Sequence, residues 1–220
     1  MRPASLVLAS LASLASVALV ACNLADANVK GNGKARTEQR TVPAFDALSL
    51  SGAMEVEVTV GGTQSIELSG DENVLPVIRT RVVKGALVVD SKEGYSAKAP
   101  LRLRITTPRL ASLSSSGASS GTVKGVAGKR FTVDLSGASA FELSGAVDTF
   151  AVELSGSGAI QARTLKAPTV SASVSGAGHV ELTATSTLSA SVSGVGAIDY
   201  WGKPGTVNRS VSGVGSIEGH

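Results

Sequence analysis

Apolar residues recur at every second position over much of this chain. Met54, Val56, Val58 and Val60 form one such run; Ile66 with Leu68, Leu87 with Val89, and Leu101, Leu103 and Ile105 form others. Side chains two apart share one face of an extended strand, so this period predicts strands with one buried and one wetted face. The segments Gly61–Gln64 ("GGTQ") and Lys84–Gly85 supply turns between them. No stretch beyond residue 22 carries a helical period.

From about Leu110 a longer rhythm is superimposed. The dipeptide Ser-Gly recurs with its serine at Ser116, Ser136, Ser155, Ser175, Ser193 and Ser212, in steps of 20, 19, 20, 18 and 19 residues. Further copies at Ser51, Ser69 and Ser144 fall outside this register. Aligned on the serine, the six copies produce columns. One position before it stand Ser115, Leu135, Leu154, Val174, Val192 and Val211; three before it stand Leu113, Val133, Val152, Ala172, Ala190 and Arg209. Five after it stand Gly121, Phe141, Ile160, Val180, Ile198 and Ile217, and the positions between are mostly polar or small, as at Asp134, Glu153 and Ser173.

Self-similarity at this period is the signature of a solenoid, in which each repeat is one coil stacked on the last. A helix is excluded, because glycine and serine in every repeat would weaken it repeatedly and the inner period is two. Stacked strands place equivalent residues about 4.8 Å apart, so each aliphatic side chain packs on its counterpart in the next coil. Each such burial contributes roughly 1.5–3 kcal/mol before conformational entropy is subtracted. The fold expected is therefore all-β: a right-handed parallel β-helix, or β-solenoid, with about 19–20 residues per coil over residues 109–220, preceded by further β-strands over residues 41–108. Ser115, Gly121 and Arg209 fit their apolar columns poorly, as terminal repeats often do.

The N-terminus carries a different message. One arginine, then an apolar run rich in leucine, alanine and serine ending Leu19-Val20-Ala21-Cys22, has the layout of a secretory signal peptide over residues 1–21. The run is too short for a membrane span of about twenty residues. "LVAC" resembles a lipobox, in which cleavage precedes the cysteine and its sulfur receives a lipid. Cys22 is the only cysteine, so no internal disulfide can form, and lipidation is the role expected of it. Residues 22–40 are polar and glycine-containing, as suits a tether. The location implied is the cell envelope, lipid-anchored; Asn23 in place of an aspartate favours the outer membrane where the organism has one.

Composition narrows the partners. Twenty lysines and arginines against seventeen acids give a formal charge of +3, which makes no case for nucleic acid. Aromatic residues are only 3% of the chain, too few for the stacking platforms on which sugar-binding and single-strand-binding surfaces rely.

Several ordered features resemble one bacterial family. They are "VPAFDALSLSGAMEVEVTVGG" at residues 42–62, "LRLRITTPRLASLSSSG" at 101–117, the repeated Ser-Gly-x-Gly, and "YWGKPG" at 200–205. Together they are similar to the family called "putative autotransporter adhesin, head GIN domain". The resemblance covers nearly all of the chain after the signal segment. It implies a β-solenoid exported to the envelope, and it brings no catalytic residues with it.

Few residues offer chemistry. "GASSG" at residues 117–121 matches Gly-x-Ser-x-Gly with Ser119 as nucleophile, but that motif needs a strand, a sharp turn and a following helix, plus a histidine base. A low-complexity turn accounts for it. His179 falls in an outward or corner column with Ala159 and Ala197, and His220 lies far from it in sequence; two distant histidines and no second cysteine give no reason to expect a transition-metal site. The Ser-Gly-x-Gly turns lack the following helix and lysine of a phosphate loop. An outward column of Glu142, Gln161, Glu181, Asp199 and Glu218 reads as a solvated strand face, with calcium or a cationic partner as the sharper reading. No cofactor is expected.

The function expected is that of a non-enzymatic envelope lipoprotein whose solenoid presents strand faces to a protein or glycan partner, or serves as a structural module. The alternative is a polysaccharide-acting β-helix lyase or hydrolase, which would need clustered acids in a groove with aromatic or long-loop walls. Self-association through the uncovered edge of the last coil is a further expectation.

Overall fold

The computed structural model describes residues 29–220; the signal segment expected over residues 1–21 and Cys22 lie outside the described residues. The first part of the chain forms eight short strands: β1 (Val29–Lys30), β2 (Ala35–Gln39), β3 (Ala47–Gly52), β4 (Glu55–Val60), β5 (Ser65–Asp71), β6 (Ile78–Val83), β7 (Ala86–Ser91) and β8 (Tyr95–Ser96). One 3-10 turn, Leu75–Val77, separates β5 from β6. Then follow β9 (Arg102–Thr107), β10 (Ser112–Gly117) and four long strands that each bend round most of a coil: β11 (Ser120–Gly137), β12 (Ala140–Gly156), β13 (Ala159–Gly176) and β14 (His179–Gly194). β15 (Ala197–Trp201), β16 (Thr206–Gly213) and β17 (Ser216–Gly219) complete the fold.

The coils pair in parallel, with the register that the columns require. Leu135, Leu154, Val174, Val192 and Val211 are successive ladder partners. Leu154, Val174 and Val192 are at most 1% exposed, so the aliphatic column is a dry stack. Phe141, Ile160, Val180, Ile198 and Ile217 form a second stack beyond the Ser-Gly turn. Phe131 and Phe150 stack between coils with ring centres 6.2 Å apart. The β-solenoid expected from the repeat is the fold observed.

The ladder does not stop at residue 108. β3 pairs in parallel with β10, placing Ser51 beside Ser116 and Gly52 beside Gly117. Ser51, outside the register by its spacing, therefore stands in the serine column. β4 pairs likewise with β11, and β7 and β9 stack on the far side of β3 and β4. Thus β3 and β4 form a coil enclosed between the β7–β9 coil and the β10–β11 coil. The chain leaves this coil at Val60, builds the layer beneath it, and returns to build the layer above. Gly61–Gln64 accordingly carries the chain past β9, which lies between β4 and β5, whereas Lys84–Gly85 closes a true hairpin between β6 and β7, both residues at positive φ.

Antiparallel strands close this end. β6 runs along β7, β5 along β9, and β2 along β5. Val74, Leu75 and Ile78, all nearly inaccessible, cross the end of the core between them. The segment 29–40, expected as tether, is instead docked: β1 pairs with β8, β2 with β5. The buried carboxylate of Asp71 causes much of this. It accepts the backbone amides of Gly33 at 2.6 Å, Lys98 at 2.8 Å and Ala99 at 3.0 Å, drawing two loops onto the cap. Burial alone would raise its carboxyl pKa, but these three amides and the Lys98 charge hold it below the ordinary aspartate value.

Candidate functional site: the outward faces of the coils

Each coil turns at its Ser-Gly corner, and the glycine there has no substitute. Gly176 has φ +120°, and a Cβ on it would lie 2.6 Å from the carbonyl oxygen of Gly156 in the coil below. Seven glycines from Gly52 to Gly213 stack in this column. The amides just after them are consumed by the ladder: Ala138 N donates to Gly117 O at 2.8 Å, and Ala177 N to Gly156 O at 2.9 Å. Those amides are thus unavailable to cradle a phosphate. Ser119 is also structural. Its hydroxyl is buried and donates to Gly52 O at 3.1 Å, and strand rather than helix follows it.

Tight corners leave two broad faces of outward side chains. One carries hydroxyls: Ser51, Ser116, Ser136, Ser155, Ser175, Ser193 and Ser212 align across seven coils, with Ser51 Oγ 3.3 Å from Ser116 Oγ. A threonine column, Thr149, Thr169, Thr187 and Thr206, runs along the same face. Alternation forces this arrangement, because every residue between two inward aliphatics must point outward.

The other face carries charge. The column Glu142, Gln161, Glu181, Asp199 and Glu218 is in register as expected, and it continues through Thr122 to Glu57 and Arg104. At that end the acids are neutralised: Arg102 bonds Glu55 at 2.6 Å, and Arg104 bonds Glu57 at 2.9 Å and Glu67 at 3.1 Å. The hydrogen bond and charge of Arg104 hold the Glu57 carboxyl below the ordinary glutamate value. These pairs flank a shallow groove of about 500 Å³ floored by the short side chains of Ser120 and Thr122.

Toward the other end the acids meet histidines. His179 Nε2 lies 3.5 Å from both Glu181 and Asp199, and His220 Nε2 lies 3.0 Å from the other oxygen of Asp199. Trp201 stacks on His220 at 4.8 Å, and Arg163 covers the indole at 4.4 Å. Separation in sequence hid this convergence: His179 is the ladder partner of Ala197, two residues before Asp199, and His220 follows Gly219, the ladder partner of Tyr200. The signal available was that Glu181 and Asp199 share a column. Among the described residues no group of three or more histidine, cysteine or carboxylate side chains is placed to hold a metal ion.

Comparison with known proteins accords with this architecture. The family model described as "Putative auto-transporter adhesin, head GIN domain" matches residues 44–204. A Bacteroides fragilis protein described as a putative adhesin has a solved structure that superposes with a TM-score of 0.72 at 22% identity, covering 87% of this chain and 100% of that one. A putative lipid binding protein from Parabacteroides distasonis gives 0.51 at 21% identity, covering 87% and 99%. A putative adhesin from Parabacteroides merdae gives 0.51 at 22%, covering 87% and 98%. At these identities the likeness is one of fold. No curated protein matches the chain.

Proposed function

The chain belongs to the family of putative auto-transporter adhesins with a head GIN domain, and on that premise we propose that it is a non-enzymatic lipoprotein of the cell envelope, anchored through Cys22, whose solenoid binds a protein or glycan partner at the surface. The observation that carries this reading is the pair of broad faces, on which outward side chains keep register from coil to coil. Such a face meets an extended partner with many equivalent weak contacts rather than one deep pocket. Ser119, the one residue with a nucleophile motif, has its hydroxyl engaged with a backbone carbonyl, which also supports a binding role.

Two experiments test it. Changing Cys22 to serine should move the protein from the membrane to the soluble fraction and abolish incorporation of labelled fatty acid; a membrane-bound serine variant would refute the anchor. The chain immobilised on resin should retain a component of envelope extract. Release of reducing ends from envelope polysaccharide by the purified chain would replace the binding module with an enzyme.

A further inference from the structure

We propose that the coils carry a basic ridge that docks an acidic polysaccharide, an extended glycan with one carboxylate or sulfate on every second sugar. This rests on the binding-module reading above and narrows its partner to one chemistry. Six of the seven lysines and arginines after residue 109 fall in the stretch of the coil farthest along the chain from its Ser-Gly turn: Lys124, Lys129, Arg130, Arg163, Lys166 and Lys203. All six are exposed, and Asp148 is the one carboxylate in the corresponding stretches 124–130, 144–149, 163–168, 183–187 and 201–206.

The ladder brings these stretches together. One column runs Ala127, Ala146, Lys166, Thr183 and Trp201. Lys124 and Lys129 flank its first member along the chain, Arg163 covers the indole of its last at 4.4 Å, and Lys203 is two residues beyond. Four ladder steps of ~4.8 Å make the ridge about 19 Å long. Arg130 heads the threonine column that continues through Thr149, Thr169, Thr187 and Thr206, which sets hydroxyls beside the charges. These charges are also unspent. All seven arginines of residues 29–109 pair with carboxylates, whereas among the described residues none of the six forms an ion pair.

The interval selects the polyanion. β11 contributes three of the six and β13 two, and Lys203 follows β15, while β12 and β14 contribute none. Positive charge therefore recurs at every second coil, about 10 Å apart. A sugar ring in an extended glycan advances about as far as one coil step, so an acid on alternate sugars keeps pace with the ridge. Each strand of duplex nucleic acid sets a phosphate every ~3.4 Å, out of step with the coils. A bilayer favours a flat basic field, but the acid column of Glu142, Glu181 and Asp199 runs two residues ahead of this stretch along each strand and repels an anionic plane. Charge rather than stacking holds such a glycan, in keeping with the few aromatics. Single exposed ion pairs are weak, so the affinity comes from several made at once.

Fluorescence anisotropy of a labelled octasaccharide of alternating glucuronate and N-acetylglucosamine, with the full chain in detergent, tests this. The expected result is saturable binding that falls steeply as salt rises and is lost when the carboxylates are reduced to alcohols. Lys129→Gln, Lys166→Gln and Lys203→Gln should each weaken it about two- to fivefold, and all three together about tenfold or more. Lys92→Gln, just after β7, should leave it unchanged, and thermal melts of every variant should match the native chain. No binding of the octasaccharide overturns the proposal. So does undiminished binding by the triple variant, equal binding of the carboxyl-reduced sugar, or tighter binding of duplex DNA or of phosphatidylglycerol vesicles. Should the native chain and the triple variant retain the same envelope component on resin with no octasaccharide bound, the ridge is refuted and the binding-module reading stands.

Discussion

Ser115 Oγ lies 3.3 Å from Ser139 Oγ in the interior of the solenoid, and both side chains are buried. Ser115 occupies a column otherwise filled by leucine and valine. Three residues after the Ser-Gly serine, Ser139 occupies a column that is glycine in later coils, because a Cβ on Gly178 would fall 2.4 Å from a methyl of Leu154, and one on Gly196 2.5 Å from Val174. The small residue below permits the larger residue above, and each hydroxyl satisfies the other.

These two positions should consequently be coupled. Ser115→Leu alone should destabilise the fold, since it collides with Ser139 and leaves that hydroxyl only the Gly117 carbonyl at 3.4 Å, at a cost of about 1–3 kcal/mol. Adding Ser139→Gly recreates the arrangement of the later coils and should recover most of the loss. Urea unfolding of the two single variants and the double variant measures the coupling; strictly additive effects would contradict it.

Gly176→Ala should destabilise by about 1–3 kcal/mol or more, because alanine must adopt φ +120° and its Cβ meets the Gly156 carbonyl. Thermal unfolding should show a fall of about 2–4 °C for each kcal/mol lost in a domain of this size. Gly128→Ala, at a positive φ but with open space around its Cβ, separates the two causes: strain without collision should cost less.

The two faces of one strand should respond oppositely. Leu154→Ala leaves a cavity in the dry stack and should cost about 2–5 kcal/mol, whereas outward Ser175→Ala should stay within about 0.5 kcal/mol. Equal effects in urea titrations would mean that the inward column does not carry the stability.

Acid should loosen the cap first. Asp71 has a folded pKa below its unfolded value, so its contribution is present above the ordinary aspartate range and is lost as pH falls through the depressed folded value. Asp90 behaves likewise, through the hydrogen bond from Arg79 and the charges of Arg79 and Arg81. Hydrogen exchange at pH 7 and at pH 3 should show protection lost at Gly33, Lys98 and Ala99 before the later coils open. Asp71→Asn should expose the same amides at neutral pH.

The repeat was legible because its columns and its spacing agree: from Leu135 to Val211 every aligned residue is a ladder partner of the next. Its misfits have local causes. Ser115 is matched by Ser139, and Gly121 has no side chain because a Cβ there would lie against the Val56 carbonyl. The enclosed β3–β4 coil was not legible from spacing, since the excursion through β5 to β9 separates Ser51 from Ser116 by 65 residues. Its signature was present in kind, as Leu48-Ser-Leu-Ser-Gly resembles Val133-Asp-Leu-Ser-Gly. The meeting of His179, Asp199 and His220 depends on which outward positions of successive coils fall beside one another, which a list of distant histidines does not reveal.

Because β3 and β4 lie between layers made later in the chain, a polypeptide made N-terminus first cannot finish that layer until residue 124 is in place. Everything after it can then be laid down winding by winding on a finished template, in the order of synthesis. Assembly is thus divided into one waiting period and one steady period, with the boundary at the end of the β4–β11 ladder.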